Sequence, residues 1–418
     1  MSISPIWHPF TQHGLAEPIP TVTRAEGALL YTCDGRRIID AISSWWVTTH
    51  GHRHPVIVDA IARQAGKLDQ IIFAGWTHEP AEELAQALRS LMPPSLTRVF
   101  FSDSGSTSVE VALKMALGAW ANWGESRSGV VVLEGSYHGD TIGAMSVGAR
   151  GVFNAAYSPL LFDVDTVPFP VGDGSQALAA LDVACRKRPA AFIVEPLILG
   201  AGGMRIYSAD ILAEMRSICR CHDVLFIADE VMTGWGRTGT LLACEQAGVI
   251  PDILCLSKGL TGGSLPLAVT MASEPIFEAH LSQDRAKMFF HSSSYTANPI
   301  ACAAAVANLA IWREEPVLER IAGLAAGQER ELRSLEQRGR VRNARRIGTI
   351  AAFEIGKETE GYLSALAPRL LGWFRDAGIL LRPLGDTLYV MPPYCISEGE
   401  LAEVYAHIDQ AIDAVSAV

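Results

Sequence analysis

Four short runs along the chain are apolar at every position: Val130-Val131-Val132-Leu133, Ala191-Phe192-Ile193-Val194, Val224-Leu225-Phe226-Ile227-Ala228 and Ile253-Leu254-Cys255-Leu256. Short apolar runs bounded by breakers predict buried strands. Between them the period changes. Val109, Leu113, Ala116 and Leu117 share one broad face of a helix over 109–120. Ile211, Leu212, Met215, Ile218 and Cys219 do the same over 208–222. Strand and helix in repeated alternation predict an α/β fold with a mainly parallel sheet and right-handed crossovers. Phe100-Phe101 closes a further short strand, and Leu265 to Met271 reads as an apolar strand that Pro266 would place at an edge.

The ends of the chain have a different pattern. Residues 21–50 are β-rich, and Asp34-Gly35 is a hairpin signal between Leu29–Cys33 and Arg37–Ile39. Two helices are expected over 56–95, with a break near Gly75. A long Ala-rich helix covers 300–312, and a charged helix over 317–338 reads as an exposed connector. After it, short strands at 347–355, 380–382 and 388–391 alternate with helices near 360–377 and 397–416, the pattern of a smaller α+β domain. The expected division is an N-terminal segment 1–55 that contributes to the small domain and the active site, a large domain 56–315, and a small domain 316–418.

Composition narrows the function. A chain of 418 residues, 49% hydrophobic and 19% charged, is globular and can bury a large core. A net charge of -11 argues against nucleic acid or an anionic membrane as the main partner. The opening residues lack a basic stretch followed by a long apolar one, and no run reaches the roughly 18 apolar residues of a membrane span. A cytoplasmic protein is expected. The 8 cysteines are scattered. Cys219-Arg220-Cys221 is not a CxxC pair, so most of the eight read as small core residues.

The candidate chemistry sits at the strand ends. Asp229 and Glu230 close the run 224–228, Thr233–Gly239 is Gly-rich, and Lys258 follows the run 253–256. A lysine there could be a solvated end-cap, a phosphate ligand or a Schiff-base amine. The surroundings are not a P-loop, and no G-x-G-x-x-G follows the first strand. Ser102-Asp103-Ser104-Gly105-Ser106-Thr107 is a small-residue turn entering a helix, which can hold a phosphate or simply cap. Tyr137 and His138, after the run 130–133, can cover a flat ligand or plug the sheet. Trp45-Trp46 can be core or a pocket wall. His50, His52 and His54 share a face only in a regular strand, which Gly51 and Pro55 oppose; they read as a polar turn before a helix, and no metal is expected. Pyridoxal phosphate needs a lysine, an acid beside its ring nitrogen, a phosphate cup and a flat cover. Lys258, Asp229, Ser104-Gly105-Ser106 and Tyr137 can fill those four places.

The chain resembles the class III, or ω-aminotransferase-like, family of fold-type I pyridoxal-phosphate enzymes. The likeness lies in Trp7-His8-Pro9, Ser44-Trp45-Trp46, Asp103-Ser104-Gly105-Ser106, Tyr137-His138-Gly139-Asp140, Asp229-Glu230-Val231, Thr233 to Gly239, Ser257 to Gly263 and Tyr389 to Tyr394. Nearly the whole chain is covered. The resemblance implies a large domain with a mainly parallel seven-stranded sheet, and a homodimer whose active sites are shared across the interface. It implies that Lys258 bonds to the cofactor and moves the proton, that Asp229 faces the ring nitrogen, and that Tyr137 stacks on the ring. Gly105 and Ser106 would bind phosphate in one subunit and Ser294 would reach it from the other. Glu195 and Asp140 would support the site. Phe10, Trp45, Trp46, Arg237, Arg382 and Tyr389 would line the substrate pocket, with Arg382 as the carboxylate clamp; Arg237 could instead be a structural salt bridge.

Within the family the motifs are most similar to the biotin-synthesis branch. That implies amino transfer from S-adenosylmethionine to 8-amino-7-oxononanoate. One position departs: Phe10 stands where branch members using S-adenosylmethionine commonly have tyrosine. The ring is kept and the hydroxyl is lost, which leaves lysine open as donor. Another ω-aminotransferase specificity is the broader alternative, and a catalytically silent metabolite-binding relative is the alternative of a different class.

Overall fold

A computed structural model describes residues 4–355 and 366–416. The four apolar runs are neighbours in one seven-stranded sheet. Its order is Leu96–Ser102, Ala268–Ser273, Ile253–Leu256, Leu225–Asp229, Ala191–Val194, Val130–Leu133, Asp165–Val167. From Ile253–Leu256 to Asp165–Val167 every pairing is parallel. Ala268–Ser273 is antiparallel to both neighbours. Two reversals restore direction, so Leu96–Ser102 runs with the central strands and ends at the same edge. The strand expected at an edge therefore lies inside the sheet. Pro266 falls before its first residue, so the ladder loses no N–H.

Both faces of this sheet are covered, which is why its strands carry no polar alternation. Phe192, Phe226 and Leu254 point into one buried cluster with Leu84, Leu88 and Met215. Ile193, Ile227 and Cys255 point into the other, with Val109, Ala112 and Ala116 of the helix Gly105–Asn122. Each fully buried large aliphatic or aromatic side chain contributes about 1.5–3 kcal/mol. The helix Pro299–Glu314 packs against Pro55–Ala65 and Glu79–Leu91. It begins sharply because Asn298 accepts from the N–H groups of Ile300 and Ala301, with Pro299 in its first turn.

The two ends of the chain meet. Val22–Glu26, Leu29–Thr32 and Arg37–Asp40 form an antiparallel meander, and Ile379–Leu380 adds to it parallel to Arg37–Asp40. Arg342–Ile347, Ile350–Glu354 and Thr387–Val390 form a separate three-stranded antiparallel sheet. A further core joins Ile39, Phe353, Phe374, Leu388, Val404 and Ile408. The helix Val317–Gln337 belongs to this core and is not an exposed connector. Val317, Ile321, Leu324, Leu332 and Leu335 form a buried stripe that its many charged residues obscure in the sequence. Of the helix expected over 360–377, Leu366–Asp376 is helical, and the part before residue 366 lies outside the described residues. Among the described residues, no helix is long and apolar enough to cross a membrane.

Candidate active site

Because the central strands run the same way, their ends deliver side chains to one edge. Asp229 ends its strand, Glu195 follows Ala191–Val194, Tyr137 lies just beyond Val130–Leu133, and Lys258 lies two residues after Leu256. With Trp46, Gly105 and Ser106 they line a cavity of about 140 Å³.

Lys258 opens a one-turn helix, Lys258–Thr261, with a left-handed backbone at φ 43°. Its Nζ lies 4.7 Å from the centre of the Trp46 ring. Burial lowers its amine from 10.5 to about 8; Asp229 and Glu195 act against that shift, and Arg237 adds to it. The amine is thus much closer to its neutral, nucleophilic form at pH 7 than an exposed lysine is.

Asp229 is buried. Its Oδ2 lies 2.7 Å from His138 Nδ1, and its Oδ1 accepts the Val231 N–H at 3.1 Å. Glu195 accepts the N–H groups of Tyr137 (3.0 Å) and Gly200 (2.9 Å), and so fixes the chain on both sides of the cavity. Burial pushes its carboxyl up to about 7; His138 and the two N–H donors oppose this, and Asp229 reinforces it. Tyr137 is partly buried, and burial with Asp140 nearby holds its hydroxyl protonated.

The turn before Gly105–Asn122 is the helix cap that the sequence allows. Ser104 and Thr107 form a reciprocal capping box, so the Ser104 hydroxyl is committed to the helix. Gly105 and Ser106 remain at the terminus, where free N–H groups favour an anion. A Cβ at Gly105 would stand 2.6 Å from Val231 Cγ1, and one at Gly139 (φ 124°) would stand 2.0 Å from Ser106 Oγ. Ser106 Oγ accepts the Asp140 N–H at 3.2 Å. A buried amine, a buried carboxylate, a helix terminus and an aromatic ring converging on one cavity fit the carbonyl, ring nitrogen, phosphate and ring face of pyridoxal phosphate.

The paired tryptophans divide the wall between them. Trp46 is 4% exposed, and its Nε1 donates to Tyr389 Oη at 3.0 Å. Trp45 is 42% exposed and meets Phe10 edge-on at 5.4 Å, while Phe10 meets Phe153 at 6.1 Å. Arg382 lies over both Phe10 (5.8 Å) and Trp45 (5.5 Å) and donates to the Phe10 carbonyl at 3.3 Å. Among the described residues it has no carboxylate partner. Ser294 lies on an exposed turn, outside the cavity of its own chain.

Two expected pocket residues stand behind the wall instead. Arg237 is 1% exposed, and its guanidinium donates to the carbonyls of Pro392 (3.1 Å), Trp46 (3.3 Å) and Thr48 (2.9 Å). It forms no salt bridge among the described residues; carbonyl dipoles take that place. Trp46 needs such a hold because its φ is 67°. Tyr389 is buried and supports Trp46 through its hydroxyl. The histidines of 50–54 also part ways. His52 pairs with Asp40 at 2.8 Å, His54 with Glu315 at 3.1 Å, and His50 is buried next to Trp312 and Tyr394. No group of three or more metal-ligating side chains forms among the described residues. Sequence reasoning missed Phe153 and the His138–Asp229 pair.

Residues 11–412 match the family Aminotransferase class-III. The adenosylmethionine-8-amino-7-oxononanoate aminotransferase of Synechococcus elongatus is 46% identical, over 98% of this chain and 99% of its own length. The crystal structure of the enzyme of that name from Methanocaldococcus jannaschii superposes with a TM-score of 0.94 at 34% identity, covering 98% of this chain and 97% of the other. A PLP-bound amine transaminase from an uncultivated Pseudomonas species superposes at 0.91 with 30% identity, covering 99% of both chains.

Proposed function

We propose that this chain, which belongs to the class-III aminotransferase family, uses pyridoxal phosphate to move an amino group from S-adenosylmethionine to 8-amino-7-oxononanoate, giving 7,8-diaminononanoate. The end-to-end likeness to relatives named for this reaction carries the reading. The bound cofactor supplies a carbonyl that condenses with amines and a ring that takes up an electron pair. Lys258 Nζ would hold the cofactor at rest and would carry the 1,3-proton shift, taking a proton from the amine-bearing carbon of the donor and, in the second half-reaction, delivering one to the former carbonyl carbon of the acceptor. Asp229, oriented by His138 and the Val231 N–H, holds a proton at the ring nitrogen. Tyr137 covers the ring, and the helix terminus at Gly105 and Ser106 holds the phosphate. Trp45 and Phe10 offer exposed apolar rings to the long alkyl chain, and the Arg382 fork, which has no carboxylate partner among the described residues, takes a carboxylate.

Donor and acceptor use one pocket in turn, so the kinetics are ping-pong. Absorbance tests this directly. Enzyme with the aldehyde cofactor is mixed separately with S-adenosylmethionine, lysine and simple ω-amines, and 8-amino-7-oxononanoate is then added. Conversion by S-adenosylmethionine and reversal by the oxononanoate are expected. Conversion by lysine alone would replace the donor and keep the acceptor, an outcome that the missing hydroxyl at Phe10 makes worth testing. No reversal by the oxononanoate would leave a general ω-aminotransferase.

The assembly belongs to the same reading: a homodimer in which Ser294 reaches the phosphate of the partner site. Gln70 holds the Ser294 carbonyl at 2.5 Å, and Asn298 holds that of Asp69 at 2.9 Å. The two linked loops carry exposed Ile72, Trp76, Phe290 and Tyr295, apolar surface that a second copy would cover. Light scattering should give twice the 45.0 kDa chain mass; a fully active monomer would end the shared-site reading. A cytoplasmic location fits the eight cysteines, all free.

A further inference from the structure

Behind the turn that carries Lys258 lies a buried polar layer that no step above uses. Thr49 Oγ1, Trp235 Nε1 and Trp312 Nε1 are buried there without a hydrogen-bond partner among the described residues, and the buried His50 ring and Asn308 Oδ1 have only each other. The layer is continuous. His50 and Trp312 lie 5.7 Å apart, and Trp235 and Trp312 lie 6.5 Å apart. A Cβ at Gly259 would meet Trp235 at 2.7 Å and Thr49 at 3.0 Å, and one at Gly262 would meet Asn308 Oδ1 at 3.3 Å. Unsatisfied buried polar groups are rare in native chains and call for an explanation.

Asn308 supplies one. It is fully buried on the helix Pro299–Glu314. Its Nδ2 donates to the carbonyls of both Gly259 and Leu260, each at 3.0 Å. An amide nitrogen has two donors, so both are used, and Oδ1 is left to face the His50 ring, where it acts against the lowering of that ring's pKa by burial. Those carbonyls belong to the two residues that follow Lys258. The lysine itself keeps a left-handed backbone, which a residue with a side chain retains only where its surroundings over-determine it. The other anchors are Leu260 N–H to the Ser257 carbonyl, Gly262 N–H to the Gly259 carbonyl, the Ser257 hydroxyl to the Leu267 carbonyl, Thr49 N–H to the Gly262 carbonyl, and the contacts of Thr261 with Ser264 and Leu265; among the described residues, Asn308 supplies the only side-chain donor to the carbonyls of Gly259 and Leu260.

We propose that Asn308 is a positioning residue for Lys258: its amide clamps the turn from behind, and the clamp keeps the lysine backbone left-handed with its amine in the cavity. The inference rests on the reading of Lys258 as the reacting amine. If the clamp fails, the turn relaxes to an ordinary backbone, the Cα–Cβ direction swings, and the amine leaves its buried seat.

The test compares Asn308→Leu, which keeps the volume and removes the donors, with Asn308→Ala and with Asn308→Ser, which keeps one donor. Cofactor-free protein is labelled with dinitrofluorobenzene across a pH series, and Lys258 is followed by peptide mapping. Thermal unfolding confirms that each sample is folded at the assay temperature. The wild-type labelling midpoint should lie near the buried amine's value of about 8. The Leu and Ala variants should move it up by about one unit or more, toward an exposed lysine, with the Ser variant between. Their kcat should fall about 10²-fold, as for a reacting group displaced by about 1 Å, with KM little changed. A Leu variant with the wild-type midpoint and kcat would make Asn308 a space-filler and overturn the proposal. A Ser variant no better than Leu would overturn the donor role, and loss of folding in all three would assign Asn308 to the core at large. None of these outcomes depends on which amine is the donor, and Lys258→Ala tests the underlying reading separately.

Discussion

Lys258→Ala should lower turnover by about 10⁴-fold or more, the upper end of what one general acid–base group supplies. Two functions go together. The covalent attachment is lost, and so is the only amine among the described residues that line the cavity. The cofactor itself should stay. The helix terminus at Gly105 and Ser106, the Asp229 carboxylate and the Tyr137 ring do not depend on the lysine, and alanine leaves the wall formed by Trp46 in place, since Tyr389 holds that ring and Arg237 holds its backbone carbonyl. The informative measurement is therefore a single turnover by absorbance, with cofactor and S-adenosylmethionine premixed. Binding should be visible and the later proton transfer absent. Wild-type-like transamination by this variant would remove Lys258 from the mechanism.

What made Lys258 and Asp229 legible is the same fact that made the sheet legible. Strands buried on both faces lose their polar alternation, so the four central ones stand out as uninterrupted apolar runs, and parallel order then places the residues after each run at one edge. The local letters say less where a strand boundary or a distant partner decides the outcome. Pro266 looked like an edge signal only because the boundary of Ala268–Ser273 falls two residues beyond it. For Arg237 a pocket role and a structural one both stayed open, because an arginine in a Gly-rich loop carries no local sign that the carbonyls of Trp46, Thr48 and Pro392 enclose it. Tyr389 and Trp46, 343 residues apart, meet only because the first strands of the chain pair with its last third. Asn308 is harder still. It is one polar letter in an Ala-rich helix, and only the fold shows that it faces the turn after Lys258. Residues that touch the chemistry follow from type and strand position; residues that hold them follow from contacts the chain makes only once folded.

Asp229→Asn should separate charge from shape at the other side of the cavity. The two side chains are nearly isosteric, so the Oδ1 contact with the Val231 N–H can persist. The amide NH2 would then face His138 Nδ1, which must accept where it now donates to a carboxylate. His138 can make that change by moving its proton to Nε2, an atom with no partner among the described residues. The fold and cofactor binding should therefore survive. What does not survive is the negative charge that holds a proton at the ring nitrogen, and with it the stabilisation of the electron pair released when the substrate proton leaves. Removing a charge-assisted contact of this kind from a buried site should lower kcat by about 10²-fold or more, roughly 3 kcal/mol. Both half-reactions use the same carboxylate, so stopped-flow rates with S-adenosylmethionine and with 8-amino-7-oxononanoate should fall together. A fall in one alone would tie Asp229 to a substrate, and unchanged rates in both would place the ring nitrogen away from Asp229.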